Sequence, residues 1–156
     1  MGNPVRVLMR VPVPWVFVLA YLAGAGLELA WRSRILREAA AASTIGGWAL
    51  FGLGAVIAGW GLVLFGKART TTVPGNRSAR LVTSGPYRFT RNPMYVGLIL
   101  AYLGEAGLQK QIWPVVLLPL VIGYLNWTVI PVEEAKLSEV FPEEYGEYRS
   151  RVRRWI

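Results

Sequence analysis

Gly46 to Gly66 contains no charged residue, and nothing else in the chain restricts its fold so strongly. A helix rises about 1.5 Å per residue, so about 20 apolar residues cross the hydrocarbon core of a bilayer. Three further segments share this character. Val11 to Trp31 carries only Glu28, close to one end, and the Arg that follows lies outside it. Met94 to Leu108 is shorter and carries Glu105 near its end. Ile112 to Pro131 is uncharged and has Trp113 at its start. Only Gln109-Lys110-Gln111 separates the last two, which predicts a tight helical hairpin. The expected fold class is all-α: an integral membrane helical bundle of about four transmembrane helices, with a C-terminal amphipathic helical tail.

Composition agrees. Hydrophobic residues make up 54% of the 156-residue chain and the mean hydropathy is +0.39. Soluble domains typically contain about 45–50% apolar residues. The chain has no Cys and no His, and all nine acidic residues are Glu. Disulfides, thiol catalysis, imidazole general bases and His or Cys metal sites are therefore excluded. Acid–base work is left to Glu, Tyr, Lys, a substrate group or water. The net charge of +8 suits nucleic acid, or cytoplasmic loops rich in Lys and Arg that face anionic lipid. In a chain this apolar the second reading is adopted, with membrane lipids and no nucleic acid as partners.

The distribution of charge predicts an orientation. The N-terminus, the loop from Lys67 to Arg91 and the C-terminal tail together hold 13 Lys and Arg, and the two remaining loops hold Arg32, Arg34, Arg37 and Lys110. Both termini and the long loop are thus expected in the cytoplasm, which an even number of spans satisfies. The first segment has a basic start, but its apolar run is long and lacks an A-x-A cleavage site, so it reads as a retained anchor. Arg6 stands where a myristoylation motif wants Ser or Thr. Ala20 and Gly24, and Ala55 and Gly59, have the small-xxx-small spacing that lets helices approach closely in lipid. Gly and Ala are also simply common in membrane helices. Two regions result: residues 1–66 with the N-terminal transmembrane helices, and 67–156 with the loop, the hairpin and the tail.

The polar chemistry lies in the second region. Val73-Pro74-Gly75-Asn76 and Ser84-Gly85-Pro86 read as turns, the latter presenting Tyr87 and Arg88. Pro93 is placed to open a membrane helix, with Asn92 as its expected N-cap. A helix N-terminus attracts carboxylate or phosphate, and Arg88 and Arg91 strengthen that bias. Equally, Arg and Tyr there serve as headgroup anchors. Glu133 and Glu134 come directly off the last membrane helix, where a carboxylate must reach water or meet a cation. Placement in a first helical turn is the blander reading. Leu137, Val140 and Phe141, then Tyr145, Tyr148 and Val152, recur at helical spacing. They predict two amphipathic helices lying on the membrane, broken at Pro142. Glu143, Glu144 and Glu147 are expected on a solvated face, pairing with Arg151 or Arg154.

These residues together resemble the isoprenylcysteine carboxyl methyltransferase and phospholipid methyltransferase superfamily of integral membrane enzymes. The resemblance rests on Leu81, Gly85-Pro86-Tyr87-Arg88, Arg91-Asn92-Pro93-Met94-Tyr95-Val96-Gly97, Glu133-Glu134-Ala135-Lys136-Leu137, and then Phe141, Tyr145, Tyr148 and Trp155. It covers about Thr70 to Ile156. It implies S-adenosylmethionine as methyl donor, bound at the cytoplasmic end of the last helices and the tail. Carried over, Tyr87, Arg88, Arg91, Asn92, Pro93, Tyr95, Gly97, Glu133, Glu134, Leu137, Tyr145 and Tyr148 form or border that pocket, with Arg91, Asn92 and Glu134 nearest the chemistry. Glutamates suit the donor's ammonium or ribose hydroxyls, Arg its carboxylate, and Tyr and Leu its adenine and sulfonium methyl. Asn92 departs from the His usual in the isoprenylcysteine branch, and it cannot take a proton. Asn-Pro-Met-Tyr is closer to the phospholipid branch, while the tail resembles the isoprenylcysteine branch.

The implied reaction is in-line methyl transfer to a lipophilic acceptor: an isoprenylcysteine-like carboxylate, a phospholipid amine or a small lipophilic molecule. With no His, acceptors that need little base help are favoured, and Arg88, Arg91 or Arg151 is suited to orient a carboxylate. Two other readings compete. One is a reductase-like module binding a nicotinamide nucleotide, as in the much longer sterol reductases. The other is a non-enzymatic lipid-binding or adaptor protein with a basic face.

Overall fold

The computed structural model describes residues 12–67 and 80–156. The turn expected at 73–76 and the cations Arg6, Arg10, Arg69 and Arg77 lie outside the described residues. Within them the chain is helical, with no strand. The helices are α1 (Val13–Ala30), the short α2 (Ile35–Glu38), α3 (Ala40–Lys67), α4 (Pro93–Gln109), α5 (Ile112–Tyr124), α6 (Ile130–Val140) and α7 (Pro142–Arg151). A 3-10 turn, Gly85–Arg88, precedes α4.

Among the described residues, three helices are long and apolar enough to cross a membrane: Val13–Ala30, Ala40–Lys67, and the continuous stretch Ile112–Val140. The fourth expected segment, α4, has 17 residues and carries Glu105. It is the inner helix of the bundle. Its Tyr95 and Tyr102 join Val13 and Phe17 of α1 and Leu118, Val121, Leu125, Val129 and Ile130 of the last helix in the main core. Tyr102 makes edge-to-face contacts with Phe17 and Tyr21, with ring centroids 6.0 and 5.2 Å apart.

α3 binds α4 through glycine. The buried residues of α3 are Gly47, Gly54 and Gly61, one every seventh position. A methyl group at Gly54 would lie 2.5 Å from the Ala101 nitrogen, and one at Gly97 would lie 2.7 Å from the Ala58 nitrogen. Only hydrogen fits, so the two backbones touch and dispersion replaces the missing hydrophobic drive in lipid. Of the two small-xxx-small pairs, Ala20 packs against the main core and Gly24 faces α5, where an added methyl group would lie 2.6 Å from the Pro114 backbone. Gly59 is a correction: a methyl group there would meet nothing within 4 Å, because the α3 seam repeats at seven residues rather than four.

The predicted hairpin is present. Lys110 adopts the left-handed conformation (φ 57°) that ends α4, the Gln111 amide donates to the Ala106 carbonyl at 2.9 Å, and α5 begins at Ile112. Glu28 closes the same end. Its carboxylate accepts the backbone N–H of Ser33 at 2.9 Å and of Ile112 at 3.1 Å, and Arg37 approaches to 3.7 Å. The Trp113 indole donates to the Trp31 carbonyl at 2.8 Å.

Pro131 does not separate a membrane helix from a surface helix, as expected. It lacks an N–H, and its ring crowds the carbonyl four residues back. The ladder slips instead: Leu125–Val129 forms a π turn in which the Ile130 N–H donates to the Leu125 carbonyl. The helix then runs on as α6. The break at Pro142 is present, with Phe141 leaving helical geometry between α6 and α7.

Candidate functional site

Gly85 starts the site by geometry. Its φ is +61°, and a side chain there would strike Leu64 at 2.8 Å. The turn that follows sends its two side chains apart. Tyr87 is buried in a cluster with Tyr145 and Tyr148, against which Leu137 and Phe141 pack. Arg88 is exposed. The Tyr148 hydroxyl donates to the Tyr87 carbonyl at 2.8 Å, which ties α7 to the turn.

Thr90, Arg91 and Asn92 next receive the chain's last residues. The Arg91 N–H donates to the Arg153 carbonyl at 2.9 Å. The Thr90 hydroxyl and the Asn92 amide both donate to the Arg154 carbonyl, at 3.0 and 2.9 Å. Asn92 therefore precedes the helix that Pro93 opens, but its side chain makes no cap. Its amide serves the tail instead.

Glu134 sits at the centre of this end and is 8% exposed. The Arg154 guanidinium grips both its oxygens, Nε to Oε1 at 3.0 Å and Nη2 to Oε2 at 2.6 Å. The Arg91 Nη2 lies 3.3 Å from Oε1, and the Arg91 Nη1 donates to the Tyr145 hydroxyl at 3.2 Å. Arg154 thus pairs with Glu134 and not with α7, as had been expected. On α7, Arg151 pairs with Glu147 at 3.2 Å. Glu133 faces another way and accepts the Tyr95 hydroxyl at 2.7 Å.

The electrostatics follow from burial. Burial pushes the phenols of Tyr87, Tyr145 and Tyr148 up from their ordinary value. Glu134 raises Tyr145 further, while Arg91 beside it pulls it down. The hydrogen bond to Glu134 raises Arg154.

The residues named from sequence therefore divide. Arg91, Asn92, Tyr95, Glu133, Glu134 and Tyr145 converge, with Tyr87, Leu137 and Tyr148 forming an apolar wall. Pro93 is buried at the first turn of α4. Gly97 instead lies in the α3–α4 seam against Gly54 and Ala58, and Arg88 points to the surface. Asn126 was missed. Its Oδ1 accepts from Arg154 Nη1 at 3.3 Å and from the Trp155 indole at 3.2 Å. The only signal for it was an amide inside an apolar run.

The donor set fits a ligand with a cation, a carboxylate and an aromatic base. The Arg91 Nε is buried with no hydrogen-bond partner among the described residues, and it can take a carboxylate. Glu133 has no ion pair within 4.0 Å among them, and it can take a cation.

A model of the phospholipid methyltransferase family matches residues 42–144, which takes in Arg91 to Tyr95 and Glu133 with Glu134 but not α1 or the tail from Tyr145 on. The chain belongs to that family. Two curated relatives match in part. The cobalt-zinc-cadmium resistance protein CzcN of Cupriavidus metallidurans is 34% identical over 79 residues, 51% of this chain and 36% of that protein. The protein-S-isoprenylcysteine O-methyltransferase of Schizosaccharomyces pombe is 35% identical over 77 residues, 49% of this chain and 33% of that protein. The matched stretch thus spans about a third of each relative. No solved structure matches the chain significantly.

Proposed function

We propose that this protein is a membrane methyltransferase that takes a methyl group from S-adenosylmethionine and passes it to a lipophilic acceptor. The observation that carries this reading is the meeting of the Arg91–Tyr95 strip with Glu133 and Glu134, through contacts of 3.3 and 2.7 Å, in a chain of the phospholipid methyltransferase family. The metal resistance named for one relative is said of that protein alone.

When bound, the donor supplies an electrophilic methyl on a positive sulfur. The chain's residues bind and orient. Arg91, whose Nε has no hydrogen-bond partner among the described residues, suits the donor carboxylate. Glu133, which has no ion pair among the described residues, suits its positive groups, and the apolar cluster of Tyr87, Tyr145, Tyr148 and Leu137 suits the adenine. Alignment of two reactants supplies up to about 7–11 kcal/mol of a barrier. Attack on a sulfonium by an anionic acceptor disperses opposite charges, so exclusion of water by the buried wall favours it. The charge count supports a cytoplasmic site, with the acceptor arriving from the bilayer.

The test is purified protein in lipid nanodiscs with methyl-labelled donor, offered phospholipid extract in one arm and a prenylated cysteine carboxylate in the other. Label in the lipid fraction is expected. Absence of both transfer and donor binding would refute the reading.

A further inference from the structure

Neither Asn126 nor Arg154 belongs to the strip or to the glutamate pair, yet both determine how that pair is presented. An α-helix turns about 100° per residue, so the eight residues from 126 to 134 leave the two side chains about 80° apart. The five-residue π turn, Leu125–Val129, holds an additional residue. It takes back about 100°, which brings Glu134 to within about 20° of Asn126 and moves Glu133 about 120° away. The contacts match this register. One guanidinium, that of Arg154, spans Asn126 Oδ1 at 3.3 Å and Glu134 Oε2 at 2.6 Å, while Glu133 turns to Tyr95 of α4 at 2.7 Å.

The two neighbours therefore carry different charge environments. Glu134 has two guanidiniums within 4.0 Å, those of Arg91 and Arg154, so its surroundings repel a further cation. Glu133 is bonded to a neutral phenol. Lys136, one turn along the same helix, forms no ion pair with it.

We propose that Arg154 and Asn126 are positioning residues that neutralise and fix Glu134, so that Glu133 alone faces the positive sulfur of the methyl donor. This rests on the donor named above. It differs from a purely structural role for the tail because it predicts selectivity for charge. The protein in detergent is titrated with S-adenosylmethionine and with S-adenosylhomocysteine, the neutral thioether. The ratio of the two affinities reads the charge at the sulfur, and the unfolding temperature without ligand reads the fold.

Glu133→Gln keeps an acceptor for Tyr95. It is expected to lower the preference for the sulfonium about tenfold, the size of one close charge interaction, with the unfolding temperature unchanged. Arg154→Gln exposes the charge of Glu134 and is expected to raise the preference while lowering the unfolding temperature. Arg154→Lys restores the charge and should return the preference to its original value. Asn126→Ala should act like Arg154→Gln, more weakly. Equal changes in both affinities for Glu133→Gln and Arg154→Gln would overturn the proposal, as would a loss of preference in Glu134→Gln alone. If the unaltered chain binds neither ligand, the methyl-donor reading falls and the role of Glu133 with it. In that case the unfolding temperature of Arg154→Gln still decides whether Arg154 fixes Glu134.

Discussion

Glu28 and Glu134 are buried carboxylates near opposite ends of one bundle, 2% and 8% exposed, and they are satisfied in different ways. Glu28 is held by backbone: the N–H groups of Ser33 and Ile112, with Arg37 at 3.7 Å as a distant, half-exposed partner. It thereby caps α5 from another helix, an arrangement fixed by the chain path itself. Glu134 is held by side chains, Arg91 and Arg154, brought from segments far apart in sequence. The first arrangement clamps. The second is a cluster of paired side chains drawn from separate segments, at the end of the bundle where the proposed site lies.

Substitution should separate the two, and Glu28→Ala should have the larger effect. It leaves two backbone donors without partners, at about 1–3 kcal/mol each, so a global loss of about 3 kcal/mol is expected. The measurement is reversible unfolding in mixed detergent. A variant as stable as the parent would show that the clamp is not one. Glu134→Ala should cost less, about 2 kcal/mol, because the freed Arg154, 29% exposed, returns to water and the buried Arg91 keeps the Tyr145 hydroxyl. Its loss should be local. The chain has no Cys, so a spin label on Ile156→Cys reports the tail alone. Sharp, mobile spectra with only a small fall in the unfolding temperature are expected. Cooperative loss of the whole fold would erase the distinction between the two ends.

Tyr95→Phe is a gentler probe. It removes one hydroxyl from Glu133, a change of about 1 kcal/mol. Unfolding should scarcely move, while affinity for S-adenosylmethionine should fall about fivefold. An unchanged affinity would detach Tyr95 and Glu133 from the donor.

Much of this was legible in the sequence, for local reasons. Runs without charge report helices, Pro93 and Pro142 report helix starts, and Gln109-Lys110-Gln111 leaves no room for anything but a hairpin. What was hidden depends on partners distant in the chain. Gly97 looks like a motif residue, and its contact with Gly54 appears only once α3 and α4 are antiparallel. Asn92 has the composition of a cap, yet the Arg154 carbonyl claims its amide at 2.9 Å. Arg154 has Glu143, Glu144 and Glu147 closer in sequence and pairs with Glu134 instead, because the π turn rotates that carboxylate toward it. Pro131 was visible, but a proline followed by continued helix is a slip of the ladder that no local pattern announces.

The smallest expected effect concerns pH. The tail end is lined with phenols, and burial raises Tyr87, Tyr145 and Tyr148 above the ordinary value for tyrosine. A group raised in the fold stabilises it fully below its unfolded pKa, about 10 for Tyr, and loses that contribution as pH rises past it. The far clamp, made of Glu28, Arg37, backbone N–H groups and the Trp113 indole, contains no phenol. The spin label at position 156 should therefore gain mobility above about pH 10, while a label placed beside Trp31 does not. Tyr148→Phe removes a titrating phenol together with its bond to the Tyr87 carbonyl, so it should loosen the tail at neutral pH and flatten its response to alkali. A tail equally mobile at pH 8 and pH 11 in the unaltered protein would mean that these phenols do not hold the tail against the turn.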